Sequence, residues 1–205
     1  MLFIPAGTLN FWQGWAFLAV NLVSSVLVVA YFYKRDPRLI ERRLLRKETV
    51  SEQKLVQKLG SLIFFPAFVL IGLDYRFGWT RTHVGPVPLW LTLLALTLIL
   101  GCQFLIFWVV NVNRYAARVI QVETGQTVAA TGPYRLVRHP MYSATIVLWL
   151  AAPLALGSFA AFPAFFLFIP IIIFRLLNEE KILRQGLPGY AEYCRRTRRR
   201  LIPFV

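Results

Sequence analysis

Two places in the chain bring together residue types that can bind and orient a charged ligand. The first is Arg138-His139-Pro140, with Tyr142 three residues past the histidine. Proline suits the first position of a helix because its missing N–H would have no partner there. His139 is therefore expected at the cap, with Arg138 just outside and the unpaired amides of the first turn facing the same space. A guanidinium, an imidazole and helix amides together make an anion site. Tyr142 falls on the same helix face as His139. Charge anchoring at a membrane surface would account for Arg138 alone, but not for the Gly132-Pro133-Tyr134 and His-Pro-x-Tyr elements around it. The second place is Glu179-Glu180, the only adjacent carboxylates in the chain. At a helix C-terminus two negative charges oppose the dipole, within a continuing helix they still repel, and a cationic ligand offsets either. The competing reading is plain ion pairing along a helix, Glu180 with Arg184 and Glu179 with Arg175, each four residues apart.

What positions these groups is a set of apolar runs. The chain has 205 residues, 58% of them hydrophobic, and a mean hydropathy of +0.59. Uninterrupted apolar runs of about twenty residues suit a bilayer core about 30 Å thick. The reading is an all-α integral membrane protein, one membrane domain over 1–205 with spans at about 11–33, 59–75, 89–111, 141–156 and 159–177. Pro66 is tolerated within the second span. Met141–Leu177 is 37 residues long, too long for one crossing, and is expected to fold at Pro153–Ser158 into two short spans of roughly 27 Å each. Four spans are the fallback if that last pair is re-entrant. No charged residue falls near the centre of a span, which argues against ion-coupled transport. Asp74, near the outer end of the second span, is expected to pair with Arg76 or Arg81.

Basic residues set the orientation. Nine lie in 34–58, four in 114–139 and eight in 175–205, against two, Arg76 and Arg81, on the other side. Positive charge marks the cytoplasmic face, which puts the N-terminus outside and the C-terminus and site inside. The net charge of +14 then forms a collar attracting anionic lipid headgroups rather than nucleic acid, despite the run RRTRRR at Arg195–Arg200. Cys102 and Cys194 lie in different environments, so no disulfide is expected, and with only His83 and His139 as imidazoles no metal site is expected either. The start of the chain lacks a basic region and a cleavage pattern, so the first run reads as a retained span.

The hairpin of the last two spans begins and ends on one side, bringing the anion site beside the carboxylate pair. A zwitterion fits two such poles, and charge alone would admit any amino-acid-like ligand. The order of elements narrows this. TGPYRLVRHPMY at 131–142, followed by NEEKILRQGLPGYAEYCRRTRRRLIPFV at 178–205, resembles the isoprenylcysteine carboxyl methyltransferase family, within a wider group of small membrane methyltransferases that includes phospholipid N-methyltransferases. The likeness covers 126–205 closely. RDPRLIERRL at 35–44 is similar to the loop after the first span in prokaryotic members, and 1–34 and 59–112 match only as apolar spans.

The resemblance implies an enzyme binding S-adenosylmethionine at the cytoplasmic face, in a site formed by 113–142 and 178–205. It implies that Tyr134, Arg138, His139, Pro140 and Tyr142 line the cofactor or reaction site, with Glu179 and Glu180 on the far side and Gln126 as a further cofactor contact. Tyr190 and Tyr193 would close a cap over the adenine or ribose, or else anchor the tail at the interface. Arg195–Arg200 reads as a solvated or lipid-facing run. The acceptor would be lipophilic, enter laterally from the bilayer, and favour a carboxylate positioned by Arg138. A protonated amine would instead need a base, His139 or Glu180. The competing functions are a phospholipid amine N-methyltransferase, a sterol-type membrane reductase using NADPH, and a non-catalytic scaffold.

Overall fold

The computed structural model describes residues 1–44, 51–115, 122 and 125–203. Among these the secondary structure is helical, with no strand. A one-turn α1 (Phe3–Ala6) precedes α2 (Trp12–Arg35), which stops at Asp36 because Pro37 disfavours helical backbone before it. The short α3 (Pro37–Leu44) leads towards α4 (Ser51–Phe77), and α5 (Trp79–His83) turns the chain into α6 (Leu89–Val112). Beyond the connector a 3₁₀ turn, Gly132–Arg135, precedes α7 (Pro140–Ala155). After a turn, α8 (Phe162–Phe166) runs through Leu167 almost without a break into α9 (Phe168–Gly186), and α10 (Tyr190–Arg196) closes the fold. The parts of the connector at 116–121 and 123–124, and of the loop at 45–50, lie outside the described residues.

Among the described residues four helices are long and apolar enough to cross a membrane: Trp12–Arg35, Gln53–Phe77, Leu89–Val112 and Phe162–Gly186. The fourth expected span, 141–156, is present as α7, but its 16 residues reach only about 24 Å, short of a hydrocarbon core of roughly 30 Å. The third span matches its expected bounds closely. The second begins eight residues earlier than expected, at Ser51 instead of 59, because Gln53 and Val56 turn inward and are buried although their neighbours are polar. The outer surface of the helices carries exposed Leu22, Leu27, Leu62, Leu93 and Phe104, the apolar surface that a bilayer and not water would cover.

The helices meet through close packing. Ala144, Ala151, Ala152 and Ala155 give α7 a buried face of small residues, and this face lies along α6, where Thr92, Ala95 and Ile99 are also buried. Small side chains let membrane helices approach where no hydrophobic driving force acts between them. Aromatic rings fill the space among α4, α7, α8 and α9: Phe68 meets Phe165 edge-on at 5.6 Å between centroids, and Trp149 stacks on Phe168 at 5.1 Å. Gly72 lets α1 sit against α4, since a Cβ there would lie 2.5 Å from the Leu2 carbonyl oxygen.

Asp74 corrects one expectation. It is buried and bonds neither arginine; its Oδ1 accepts from the Thr80 amide at 2.7 Å, and its Oδ2 accepts from the hydroxyls of Thr80, at 2.5 Å, and Ser158. The Thr80 hydroxyl oxygen in turn accepts from the amides of Phe159 and Ala160. The α4–α5 turn and the α7–α8 turn are thus tied together at one end of the bundle. Replacing Asp74 by Ala is expected to cost about 3 kcal/mol, since hydrogen bonds to a charged group are worth roughly 1.5–3 kcal/mol each and their buried donors would be left unpaired. Thermal unfolding in detergent should show it, with Ser158→Ala costing about 1 kcal/mol.

Candidate active site

At the opposite end of the bundle, His139 is the N-cap of α7 and Pro140 its first residue, as the spacing of the motif requires. The cap leaves Arg138 and His139 buried, 7% and 5% exposed, against the side of α9. There Glu180, 3% exposed, collects four basic groups. Its Oε1 lies 3.2 Å from His139 Nε2 and 3.2 Å from Arg138 Nε, and its Oε2 lies 3.2 Å from Arg200 Nη2 and 3.7 Å from Arg184 Nη2. Arg200 Nε donates to the same oxygen at 3.2 Å, whereas the Arg138 N–H is not aimed at its neighbour, so that contact is one of charge. A carboxylate this deeply buried is sustained only by such partners.

The chain's tail completes the arrangement. The amides of Arg138 and His139 donate to the carbonyls of Arg199 and Arg200, each at 2.9 Å, and Ser143 Oγ donates to the Leu201 carbonyl at 2.6 Å. The arginines of the basic tail are exposed, as a solvated or lipid-facing run implies, while its backbone is strapped across the start of α7 through the amides of Arg138 and His139, just ahead of the helix. Tail recognition is carried by backbone carbonyls, which leave no mark in the residue types.

Glu179 and Glu180 both sit inside α9, which continues to Gly186, so neither opposes a helix end. Adjacent helical residues point about 100° apart. Glu180 faces the arginines, and Glu179 faces Tyr142, whose hydroxyl donates to Glu179 Oε2 at 2.7 Å. Arg138 and Glu180 are therefore in contact and are not poles facing each other across an open space.

The open space lies on the other side of Arg138 and His139, a cleft open at its mouth that encloses about 100 Å³. Gln126, Tyr134, Arg138, His139, Pro140, Tyr142, Glu179, Tyr190 and Tyr193 line it, and Glu180 does not. The structure brings nine of the ten expected site residues to one cavity and sets Glu180 behind its wall. Asn113, Tyr115, Met141, Leu183 and Leu187, within the expected segments but not singled out there, line it as well. Glu179, Leu183 and Leu187 repeat every four residues, a helical stripe that could have revealed the last two.

The aromatic roof is built from the tail end and the 3₁₀ turn. Gly132 has φ 57°, and a Cβ on it would lie 3.1 Å from Val112, so glycine allows Gly132–Arg135 to rest on the end of α6. Asn113 Nδ2 donates to the Tyr134 hydroxyl at 3.0 Å, and the Tyr193 hydroxyl donates to the Tyr134 carbonyl at 2.8 Å. Tyr190 and Tyr193 are buried among Val109, Tyr134 and Leu187 and are not interfacial anchors. Burial pushes both phenols above their ordinary range, so they act as neutral hydrogen-bonding groups. Tyr190 lines the cavity, and its hydroxyl is buried without a hydrogen-bond partner among the described residues.

Comparison with known proteins agrees with this part of the chain. Residues 90–188 match the sequence profile of the phospholipid methyltransferase family, which supports the small membrane methyltransferase group that the motif order resembles. The chain is also similar to the cobalt-zinc-cadmium resistance protein CzcN of Cupriavidus metallidurans, at 33% identity over 137 residues, 63% of this chain and 56% of that protein. It is similar to the Delta(14)-sterol reductase TM7SF2 of Mus musculus, at 30% identity over 89 residues, 42% of this chain and 21% of that protein. The chain thus spans about half the length of the first relative and a fifth of the second.

The two glutamates should separate experimentally. Glu180→Ala leaves the buried Arg138 guanidinium without its counter-charge and is expected to destabilise by about 3–5 kcal/mol. Glu179→Ala removes one hydrogen bond at the cavity and is expected to cost about 1 kcal/mol. Thermal unfolding of both variants in the same detergent reads the difference directly.

Proposed function

We propose that this multi-pass membrane protein with a methyltransferase-type fold transfers a methyl group from S-adenosylmethionine to a lipophilic acceptor, favouring a carboxylate of an isoprenylcysteine-like molecule. The observation that carries the reading is the cavity itself: phenols, a guanidinium, an imidazole and a carboxylate converge at one end of an apolar helix bundle, within the stretch that matches the methyltransferase profile. The basic residues gathered towards that end favour a cytoplasmic cavity with the N-terminus outside, and a collar that meets anionic lipids rather than nucleic acid.

The residues fit the cofactor. An amino-acid carboxylate would meet Arg138 and His139, a positive centre would meet Glu179, and the unpaired Tyr190 hydroxyl together with Gln126 and Tyr193 would serve the nucleoside. The cofactor, when bound, supplies an activated methyl carbon for in-line displacement at the sulfonium. A carboxylate acceptor is ionised at neutral pH and needs no base, so the chain's task is alignment and exclusion of water. Arg138 provides the positive charge that orients such a carboxylate, and its own orientation is held from behind by Glu180 and by the tail carbonyls. Glu180, spent on four basic groups, acts as a positioning residue and not as a base. The acceptor would reach the cavity from the bilayer between helices.

Two observations favour other acceptors or cofactors. The matched profile is named for phospholipids, and a phospholipid amine would call on His139 or Glu179 as base. The similarity to a sterol reductase favours a nicotinamide cofactor in the same cavity. A non-catalytic scaffold would bind neither cofactor.

Calorimetric titration of purified protein with S-adenosylhomocysteine and with NADPH decides between the cofactors, and binding of the former alone is expected. Mass spectrometry of lipid extracts incubated with protein and isotopically labelled S-adenosylmethionine should then show one labelled product. Tyr190→Phe, which removes only the unpaired hydroxyl, should weaken S-adenosylhomocysteine binding about 3–10-fold. Unchanged affinity would place that hydroxyl outside the site.

A further inference from the structure

The tail that crosses the start of α7 has two unlike sides. Its backbone serves the site: the carbonyls of Arg199, Arg200 and Leu201 accept from the Arg138 amide, the His139 amide and the Ser143 hydroxyl. Arg200 also reaches back to Glu180. Outward the tail presents Arg195, Arg196, Arg198 and Arg199, all exposed, and Ile202, 62% exposed. The segment to which it is tied repeats this pattern, with Arg135 and Leu136 exposed beside buried Val137 and Arg138.

Counter-charge is short along this tail. Arg200 is paired with Glu180 and Arg196 with Glu192, and among the described residues Arg195, Arg198 and Arg199 have no acidic partner. Like charges this close in sequence repel, which opposes the compact course that the three carbonyl bonds require. Negative charge from outside the chain would relieve that repulsion. The tail is tied to the first turn of α7, so it lies where the apolar bundle ends and lipid headgroups begin. Anionic headgroups attract basic segments at such a surface, and exposed Ile202 and Leu136 suit the boundary with the acyl chains. Nucleic acid would engage the guanidinium groups but offers no comparable place for those two apolar side chains.

We propose that the tail is a docking surface for anionic phospholipid and couples that lipid to the cavity. Lipid headgroups on Arg195, Arg198 and Arg199 hold the strap against the start of α7, and the strap holds Arg138 and His139 in the cavity wall. In a neutral bilayer the same arginines repel one another, the strap is looser, and the ligand binds more weakly. The inference rests on the reading of the cavity as a site for S-adenosylmethionine.

Purified protein is placed in nanodiscs of phosphatidylcholine alone and of phosphatidylcholine with phosphatidylglycerol, and its affinity for S-adenosylhomocysteine is measured in each. That ligand is a zwitterion without net charge, so the surface potential does not concentrate it. Wild-type protein is expected to bind about three- to tenfold more tightly in the anionic nanodiscs, by a margin that shrinks as salt is raised. Arg195→Gln, Arg198→Gln and Arg199→Gln together should cut the margin below about twofold. Lys54→Gln with Lys58→Gln, exposed in the same collar but on α4, should leave it unchanged. Equal affinity in the two lipids, or weaker binding in the anionic one, overturns the proposal. So does a margin that survives the three tail substitutions, or one that vanishes with the two on α4, which means a general effect of the collar. Affinity that ignores the lipid but rises with an added oligonucleotide overturns it in favour of nucleic acid. Should the triple variant fail to fold, Arg198→Gln and Arg199→Gln taken singly must each reduce the margin, and an undiminished margin in both contradicts the proposal. Wild-type protein that binds no S-adenosylhomocysteine in either lipid overturns the methyl-donor reading and this inference with it, a result distinct from all of these.

Discussion

A single buried carboxylate holds the site together. Glu180 draws in Arg138 and His139 from the start of α7, Arg184 from its own helix and Arg200 from the tail. Removing a carboxylate from water is costly, and only close partners of opposite charge make it tolerable. That requirement is also a constraint on geometry. The helix must continue past the apolar run to deliver Glu180, the cap of α7 must sit where Arg138 and His139 can reach it, and the tail must return far enough to bring Arg200. An apolar contact of the same area would accept many registers; this one accepts few. The cavity wall therefore has a fixed shape before any ligand arrives, which is the condition for alignment to contribute to a displacement reaction.

The lipid-facing part of the molecule obeys a different rule. Between membrane helices there is no hydrophobic gain, so packing and polar ties do the work. The small residues of α7 against α6 supply the packing. The ties are spaced along the bundle: Asp74 with Thr80 and Ser158 at one end, Asn21 with Gln103 at 2.9 Å between α2 and α6, and the Glu180 and Gln53 networks at the other end. The helices between are held at both ends.

Much of this was legible in the residues. The apolar runs mark the helices because a bilayer demands length and composition at once. Pro140 fixes the start of α7 for a local steric reason, and the motif order drew Gln126, Tyr134, Tyr142, Tyr190 and Tyr193 to one cavity. What misled were polar residues with buried roles. Gln53 sits in a stretch so charged that it reads as loop, although its inner face is helical and buried. Glu179 and Glu180 read as a pair because they are adjacent, yet a helix sends adjacent side chains in different directions and gives them different partners. Arg200 is exposed, as its run implies, and what the residue types did not reveal is the tie of the tail to the start of α7, because it is made through carbonyls and every residue has one.

The position of the cavity follows from unequal helix lengths. α6 has 24 residues and α7 has 16, a difference of about 12 Å at the helical rise. The Asp74 cluster ties the turn after α7 to the C-terminal part of α4, so the two helices are level at that end and the shortfall falls entirely at the other. From Asp74 back to Gln53, α4 runs about 31 Å; α7 covers only about 20 Å from Ala155 back to Tyr142. Arg175 reaches across part of that gap, bonded to Gln53 on one side and Tyr142 on the other. The 3₁₀ turn, α10 and the tail roof the rest. A seventh helix of full spanning length would fill this recess with its own backbone. The short helix, begun abruptly by His139-Pro140, leaves room there for a polar ligand at the edge of an apolar bundle.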